Sequence, residues 1–217
     1  MDIHDFALTP SIINQYMTEL RDVDTQTDMM RFRRNLERIG ELMAYEISKH
    51  VGYHTVEVKT PLDNATCQLV DNDIVLGTIF RAGLPFHQGF LNIFDHAQNA
   101  FVSAYRKYKE KENFDVFIEY IASPSLDGKT LILVDPMLAT GASMELSYRA
   151  LLTKGTPAHI HVASVIASQV AVDYVSEHFP DDRTTVWIGA VDPKINSHSY
   201  IVPGLGDAGD LAYGIKE

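Results

Sequence analysis

The sequence predicts an α/β fold, in which helices flank a central, mainly parallel sheet. Its apolar residues recur at steps of three and four in some segments and form short unbroken runs in others, so the hydrophobic period switches several times. Four of these runs are rich in β-branched residues, as buried parallel strands are, and helical segments lie among them. The predicted strands span residues 73–80, 130–134, 159–167 and 184–190, and the predicted helices span 84–98, 141–153 and 168–178.

The longest predicted helix runs from Thr27 to about Lys49. Its apolar side chains recur at steps of three and four, which places them on one face, and Gly52 marks the exit of the chain from the helix. These side chains belong to Phe32, Leu36, Ile39, Met43 and Ile47.

Residues 101–122 predict a different element, a protruding β-hairpin. Two strand-like stretches flank the charged sequence KYKEKEN, which is typical of a solvated turn.

Length and composition limit the class of protein. With 217 residues, 46% of them hydrophobic, the chain can bury one sizeable core, and we predict a single domain over residues 1–217. Its apolar runs are too short to span a bilayer, and its first residues lack the pattern of a secretory signal, so we expect a cytoplasmic protein without membrane contacts. A net charge of −11 disfavours nucleic acid as a partner.

The segment TLILVDPMLATGAS (130–143) is the most informative part of the sequence. A buried strand ends at Asp135, and small residues then open a helix, at the place where parallel sheets bind ligands. Gly141 allows close approach of the backbone, and Thr140 and Ser143 can add hydroxyl donors to the helix N-terminus, so the pattern favours a phosphate monoester with Asp135 facing its sugar. An ordinary N-capped helix fits the same residues, and the pattern leaves this alternative open.

Two arginines follow strand-like segments. Arg81 precedes Ala82 and Gly83, so a guanidinium lies beside accessible backbone amides, an arrangement that suits a diphosphate. Arg106 lies at the base of the predicted hairpin and would reach the same group as part of a lid. An ordinary salt bridge for Arg81 and simple solvation for Arg106 are the alternatives.

The segment YIVPGLGDAGD (200–210) contains a literal match to the dinucleotide fingerprint, GLGDAG. We reject that interpretation because only eight residues follow Gly209, whereas the fingerprint opens a strand–helix–strand unit. A loop so rich in glycine exposes backbone donors and acceptors, which suits the edge of a pyrimidine. A well-packed terminal loop is the alternative.

Two other motifs are rejected on context. DGKT (127–130) ends like a phosphate-binding P-loop, but it precedes its strand and Ser123 occupies the place of the first glycine. His159 and His161 share a strand face, but no third metal ligand follows at a recognisable spacing.

Seven segments, in order along nearly the whole chain, resemble motifs of the uracil phosphoribosyltransferase family. The most specific is VDPMLATGAS, which is similar to the family's signature for 5-phosphoribosyl-1-diphosphate (PRPP). The others are LRDVDT (20–25), FRRNLERIGELMAYE (32–46), TPL (60–62), FRAGL (80–84), AYR (104–106) and YIVPGLGDAGD (200–210).

The resemblance implies a type I phosphoribosyltransferase-like fold with a C-terminal base-binding loop. It also implies transfer of the phosphoribosyl group of PRPP to uracil, which yields UMP and diphosphate in pyrimidine salvage. Asp135, Arg81, Arg106 and Asp207 would be the catalytic residues.

The resemblance assigns binding residues as well. It places PRPP against Arg81, Ala82, Gly83, Arg106, Asp135, Pro136, Met137, Leu138, Ala139, Thr140, Gly141, Ala142, Ser143 and Asp207, and uracil against Tyr200, Ile201, Gly206, Asp207 and Ala208. Mg²⁺ would arrive with PRPP and be held mainly by PRPP oxygens and water, without a metal site made of side chains. GTP is a candidate activator, and the expected assembly is a homodimer or homotetramer.

The sequence departs from the family pattern at four places. Ala142 replaces a second glycine, Phe86-His87 replaces a Gly-Met pair, Leu211 stands where a basic residue is common, and KYKEKENFD (107–115) replaces an acidic turn. Two rival functions follow from the same fold. One is a non-enzymatic, nucleotide-binding regulator, which the acidic composition disfavours if its ligand is RNA. The other is an orotate or purine phosphoribosyltransferase, although the glycine-rich segment offers no extra cation for orotate.

Overall fold

The computed structural model is built on a central sheet of eight strands. It describes residues 1–71, 73–110 and 113–216, with the backbone alone for 104–110 and 113–117. The strands of this sheet are β1 (Asp2–Asp5), β4 (Ile74–Phe80), β5 (Gln98–Glu110), β6 (Asn113–Ala122), β7 (Thr130–Val134), β8 (Met137–Leu138), β9 (His159–Ser168) and β10 (Thr184–Asp192). Two small sheets pair β2 (Tyr53–Lys59) with β3 (Asn64–Val70) and β11 (Lys194–Ile195) with β12 (Ile201–Val202).

The order of the central sheet is β1-β10-β9-β7-β4-β5-β6, with β8 paired to β9. Every pairing is parallel except the one between β5 and β6. The four strands predicted from apolar runs are its central four, and they are buried almost throughout. Continuous burial on both faces explains why their sequences do not alternate. The predicted fold class is confirmed.

In the described part of the chain, six α-helices accompany the sheet. They are α1 (Ile12–Arg21), α2 (Met29–Ser48), α3 (Gly83–Ile93), α4 (Ala142–Leu151), α5 (Gln169–His178) and α6 (Ala208–Tyr213). The predicted long helix is α2, whose N-cap Asp28 accepts a hydrogen bond from the Arg31 N–H. The helix predicted over 84–98 was too long, since α3 ends at Ile93 and Gln98 already belongs to β5.

Two apolar cores lie on opposite faces of the sheet. Along β7 the side chains alternate between them, with Ile132 and Val134 in one core and Leu131 and Leu133 in the other. Residues of α1, α2 and α3 fill the first core and residues of α4 and α5 the second, so helices cover both faces of the sheet.

The predicted hairpin is formed by β5 and β6 and extends the edge of the sheet. Only residues 98–103 of β5 pair with β4, and the remainder pairs with β6 alone, so the hairpin projects beyond its neighbour. The sequence did not predict β1, α1 or the pair β2–β3. Strand β1 has only four residues, and β2 and β3 are largely exposed, so none of these three strands carries a long apolar pattern. No helix in the described part of the chain has the length and apolar character needed to cross a membrane.

A cluster of histidines surrounds Trp187 near the amino ends of β1 and β9. The ring of His4 stacks on Trp187 with 4.0 Å between centroids, and the rings of His159 and His161 lie 4.5 Å apart. Trp187 Nε1 donates to His161 Nδ1 at 3.1 Å, which places the hydrogen of neutral His161 on Nε2, an atom without a hydrogen-bond partner among the described residues. Burial, reinforced by His159, lowers the pKa of His161 to about 3.

This histidine should make the protein sensitive to acid. An unfolded histidine titrates near pH 6.5, so the unfolded chain binds more protons than the folded chain below that pH. The contribution of His161 to the free energy of unfolding is therefore fully present above about pH 6.5. It falls as the pH is lowered toward 3, by about 1.4 kcal/mol per pH unit for this one group. Urea unfolding at pH 7.5, 6 and 5 measures the slope, and His161→Gln, which keeps an acceptor for Trp187, should reduce it. His96→Gln is the control because the His96 side chain is 85% exposed; an equal slope in the His161 variant would contradict the prediction.

Candidate active site

The carboxyl ends of β4, β7 and β9 meet at one edge of the sheet. These three strands are parallel neighbours, so the segments that follow them lie side by side. The turn after β4 reaches the end of β7, because a Cβ placed on Gly83 would lie 3.5 Å from the carbonyl oxygen of Val134. The structure therefore brings together the Arg81 turn and the Asp135 segment, as the sequence predicted.

Asp135 opens a tight turn after β7. Its backbone N–H donates to the Ala163 carbonyl, and its Oδ1 accepts from the Met137 N–H at 3.1 Å. The next two residues pair with β9 as the short strand β8, which the sequence did not predict. Further support comes from Ser168, whose hydroxyl donates to the Ala139 carbonyl at 2.6 Å. The segment is thus held by its backbone, which keeps the Asp135 carboxylate at the edge of the sheet.

The start of α4 has the features of an anion site. Gly141 is its N-cap in the left-handed region, with φ 84°, and among the described residues no side chain caps the helix. The nearest substitute is Thr140 Oγ1, which accepts from the Ala142 N–H at a long 3.4 Å. Uncapped N–H groups at a helix start favour an anionic oxygen over the ordinary N-cap that the sequence left open.

Tyr174 and Glu145 support this loop, and sequence reasoning missed both. A Cβ placed on Gly141 would lie 2.6 Å from Tyr174 Cδ1, so the tyrosine ring fills the space beside the glycine. Tyr174 Oη donates to Glu145 Oε2 at 2.6 Å, a contact that raises the pKa of Tyr174. Glu145 is buried and pairs with Arg149 at 2.5 Å. The spacing of Glu145 and Arg149 on a helix was the available signal, but only the fold places Tyr174 against them.

Arg81 reaches the C-terminal segment. Its Nη2 lies 2.9 Å from Asp210 Oδ1 and its Nη1 lies 3.5 Å from the Gly214 carbonyl oxygen. The side chain is 42% exposed, and an exposed pair of this kind contributes little stability. Arg81 therefore forms the salt bridge that the sequence left as an alternative, and this weak pair leaves the guanidinium available for a diphosphate. The peptide bond from Phe80 to Arg81 is cis.

Asp207 begins the last helix. Its Oδ1 accepts from the Asp210 N–H at 3.0 Å, and its Oδ2 lies 2.8 Å from Lys216 Nζ. Burial raises the pKa of Asp207, but Lys216 and the Asp210 N–H lower it more strongly, and the net pKa lies below its ordinary value. The carboxylate is therefore ionised at neutral pH. Lys216 places a cation beside α6, although Leu211 occupies the position where the family commonly has one.

The other predicted base-binding residues lie in the same segment. Ile201 and Ala208 are buried, Tyr200 is 42% exposed, and Gly206 is exposed between Ile201 and Ala208.

Two of the departures from the family pattern lie on helices. Ala142 is the first residue of α4, and His87 is buried on α3, where burial lowers its pKa. The side chain of Arg106 and the hairpin departures at 107–115 lie outside the described side chains. Within the described residues, no group of three or more His, Cys, Asp or Glu is arranged to hold a metal ion.

Helices on both faces of a parallel sheet, with an uncapped helix start beside an arginine turn, are the arrangement of the type I phosphoribosyltransferases, and the fold belongs to this class. Comparison with known proteins narrows the class. The family model described as uracil phosphoribosyltransferase matches residues 7–215, and the chain belongs to that family.

Individual relatives agree over the whole length. A uracil phosphoribosyltransferase of Porphyromonas gingivalis is 61% identical over 216 residues, which cover 100% of both chains. One of Methanothermobacter thermautotrophicus is 42% identical over 86% of this chain and 85% of its own. Among solved structures, the AQ2163 protein from Aquifex aeolicus superposes with a TM-score of 0.87 at 30% identity and covers 98% of each chain.

Proposed function

We propose that this protein transfers the 5-phosphoribosyl group of PRPP to uracil and releases UMP and diphosphate. The observation that carries the proposal is the uncapped start of α4 in the segment that follows Asp135, at the edge of the sheet where the Arg81 turn meets both that segment and the C-terminal segment. Such a site offers uncapped N–H groups for an anion, a carboxylate and a guanidinium at one edge of the sheet. The names of the full-length relatives support the same activity.

In this proposal the start of α4 binds the 5′-phosphate. The N–H groups of Gly141, Ala142 and Ser143, with the Thr140 and Ser143 hydroxyls, donate to its oxygens, and the helix dipole adds to the attraction. The remaining segment from Pro136 to Ala139 passes along the ribose and keeps Asp135 in place. Asp135 then accepts hydrogen bonds from the ribose hydroxyls and stabilises positive charge on the ring.

Arg81 stabilises the leaving group. Its guanidinium exchanges Asp210 for the diphosphate, and the Ala82 and Gly83 N–H groups at the start of α3 lie beside it. Arg106 is assigned the same task from the hairpin. As the bond from the anomeric carbon to diphosphate breaks, diphosphate leaves with the electron pair, uracil N1 forms the new bond, and the N1 proton passes to solvent.

The glycine-rich segment binds uracil. Backbone groups of Ile201, Gly206 and Ala208 form hydrogen bonds with the O2, N3–H and O4 edge of uracil, and Tyr200 lies beside them at the surface. Asp207, ionised at neutral pH, lies close to Arg81, since a Cβ on the neighbouring Gly209 would lie 3.2 Å from Asp207 Oδ1 and 3.4 Å from Arg81 Nη2.

The site fits Mg²⁺ that is carried by PRPP. Asp135 is a single carboxylate followed by Pro136, and its Oδ1 accepts from the Met137 N–H, so this chain contributes few metal ligands of its own. When bound, Mg²⁺ supplies positive charge that neutralises the diphosphate oxygens. We also propose a single domain over 1–217, a homodimer or homotetramer, a cytoplasmic location and GTP as an activator.

Competition among bases tests the activity. Diphosphate release is measured with PRPP, Mg²⁺ and, in turn, uracil, orotate, hypoxanthine and guanine, with and without GTP. Among these four bases, we expect only uracil to cause diphosphate release, with UMP as the organic product. Preferred use of a purine or orotate would reassign the base, and no release with any base, together with tight RNA binding at low salt, would favour a regulator.

A further inference from the structure

One ion pair holds both backbone groups of Gly204, the residue at the centre of the proposed uracil segment. The Gly204 N–H donates to Asp192 Oδ2 at 2.7 Å, and the Gly204 carbonyl oxygen accepts from Arg21 Nη1 at 3.0 Å. The peptide groups on both sides of this glycine are therefore fixed in orientation. Gly204 has φ 66°, and a side chain there would collide with the Ile201 carbonyl, so the turn is tight as well as tethered.

The ion pair itself is bidentate and well buried. Arg21 Nη1 and Nη2 each lie 2.8 Å from a different oxygen of Asp192, and the exposed fractions of the two side chains are 25% and 7%. Burial raises the pKa of Asp192, but Arg21 and the Gly204 N–H lower it more, so the carboxylate stays charged. A planar guanidinium that meets a carboxylate with two parallel hydrogen bonds defines direction as well as distance.

These partners come from rigid elements far apart in the chain. Arg21 is the last residue of α1, and Asp192 is the last residue of β10, 171 residues later. The loop at Gly204 therefore takes its position from the core of the fold.

A second contact joins the same region to the uracil segment. Gln26 Nε2 donates to the Leu20 carbonyl at 3.0 Å, and a Cβ placed on Gly206 would lie 3.8 Å from Gln26 Oε1. The segment from Leu20 to Gln26 thus contacts the loop at two residues, Gly204 and Gly206. Because Ile201 and Leu205 are buried, their side chains point into the core, and the loop presents backbone groups to a ligand.

We propose that Arg21 and Asp192 are positioning residues that set the affinity and selectivity for the base, through Gly204 and without touching substrate. The inference rests on the proposed function, since it takes residues 201–208 as the uracil site. A recognition edge made of backbone groups cannot be adjusted by side-chain rotation, so its geometry depends on what holds the backbone.

Steady-state kinetics of Arg21→Lys and Asp192→Asn test the proposal. Lysine keeps the charge but loses the bidentate geometry, and asparagine keeps one acceptor but loses the charge. We expect KM for uracil to rise about tenfold or more in Asp192→Asn and less in Arg21→Lys, with KM for PRPP within about twofold of the parent, because a loss of one well-placed hydrogen-bonded charge changes affinity on this scale. The ratio of kcat/KM for uracil over 5-methyluracil should fall as well.

The pair Arg31–Glu19 is the matched control. Like Arg21–Asp192, it is a bidentate arginine–carboxylate pair, and both of its distances are 2.9 Å. It joins α1 to α2, and among the described residues neither side chain hydrogen-bonds to the uracil segment. Arg31→Lys and Glu19→Gln should shift the melting temperature without changing KM for uracil.

The possible outcomes separate the two hypotheses. An unchanged KM for uracil in folded Arg21→Lys and Asp192→Asn would overturn the positioning role, and so would equal changes in KM for uracil and PRPP. Loss of folding in both variants would also overturn it, because the pair would then serve the fold as a whole. Absence of uracil turnover in the parent protein would instead reject the proposed function.

Discussion

Replacement of Asp135 by Asn is expected to lower kcat/KM for PRPP by about 100-fold, the scale measured when one preorganised electrostatic group is removed from an active site. The folded structure should survive. The Asp135 Oδ1 accepts a hydrogen bond from the Met137 N–H, and an amide oxygen can accept that bond equally well. What is lost is negative charge beside a ribose that becomes positive as diphosphate leaves. Initial rates and a thermal melt, measured on the same preparations, check both expectations.

Asp127→Asn is the matched control for this variant. Asp127 Oδ1 also accepts a backbone N–H, from Thr156 at 2.8 Å, but Asp127 lies in the turn before β7, at the opposite end of that strand from Asp135. Its amide variant should keep kcat/KM within about twofold of the parent. Parent-like kinetics in Asp135→Asn would remove Asp135 from the mechanism.

Replacement of Gly141 by Ala is expected to reduce stability by about 1–3 kcal/mol and to weaken PRPP binding at least tenfold. The first effect has two causes: alanine is disfavoured at φ 84°, and its methyl group would lie 2.6 Å from Tyr174 Cδ1. The second effect follows because relief of this contact must move the start of α4, whose N–H groups bind the 5′-phosphate in the proposed mechanism. Urea unfolding and KM for PRPP are the two measurements.

Gly128→Ala separates the two causes. Gly128 has φ 69°, but among the described residues a Cβ there would have no neighbour within 4 Å, so this variant carries the backbone penalty alone and lies outside the site. It should lose about 1 kcal/mol of stability with KM for PRPP unchanged. The double variant Gly141→Ala with Tyr174→Leu should recover part of the lost stability. If Gly141→Ala and Gly128→Ala behave alike in both measurements, the phosphate role of the loop is wrong.

Much of the site could be predicted because its parts are local in sequence. The strand Thr130–Val134, the acidic residue at its tip and the small residues that open α4 are consecutive, so a single pattern contains strand, carboxylate and anion cradle. The long helix and the hairpin were predicted for the same reason, since periodicity is a local property. The pattern could not decide between a capped helix and an anion site. What favoured the latter is that no side chain among the described residues caps α4.

Other features were not predictable from such patterns. Strand β8 has two residues, too few for any period, and exists because Met137 and Leu138 lie beside β9. Tyr174 meets Glu145 across 29 residues, and Arg21 meets Asp192 across 171. Each pair joins ordinary surface-type residues whose spacing carries no signal.

The sequence by itself therefore determined the class of fold and the positions of the central strands along the chain, and it predicted a candidate phosphate loop after Asp135, because burial and backbone preferences act over a few neighbouring residues. Tertiary structure alone decided which distant side chains hold the loops in place and how Arg81 meets Asp210 beside Asp207. A hydrogen bond needs atoms within about 3 Å, and residues far apart in the chain reach that distance only after the sheet and its helices have packed.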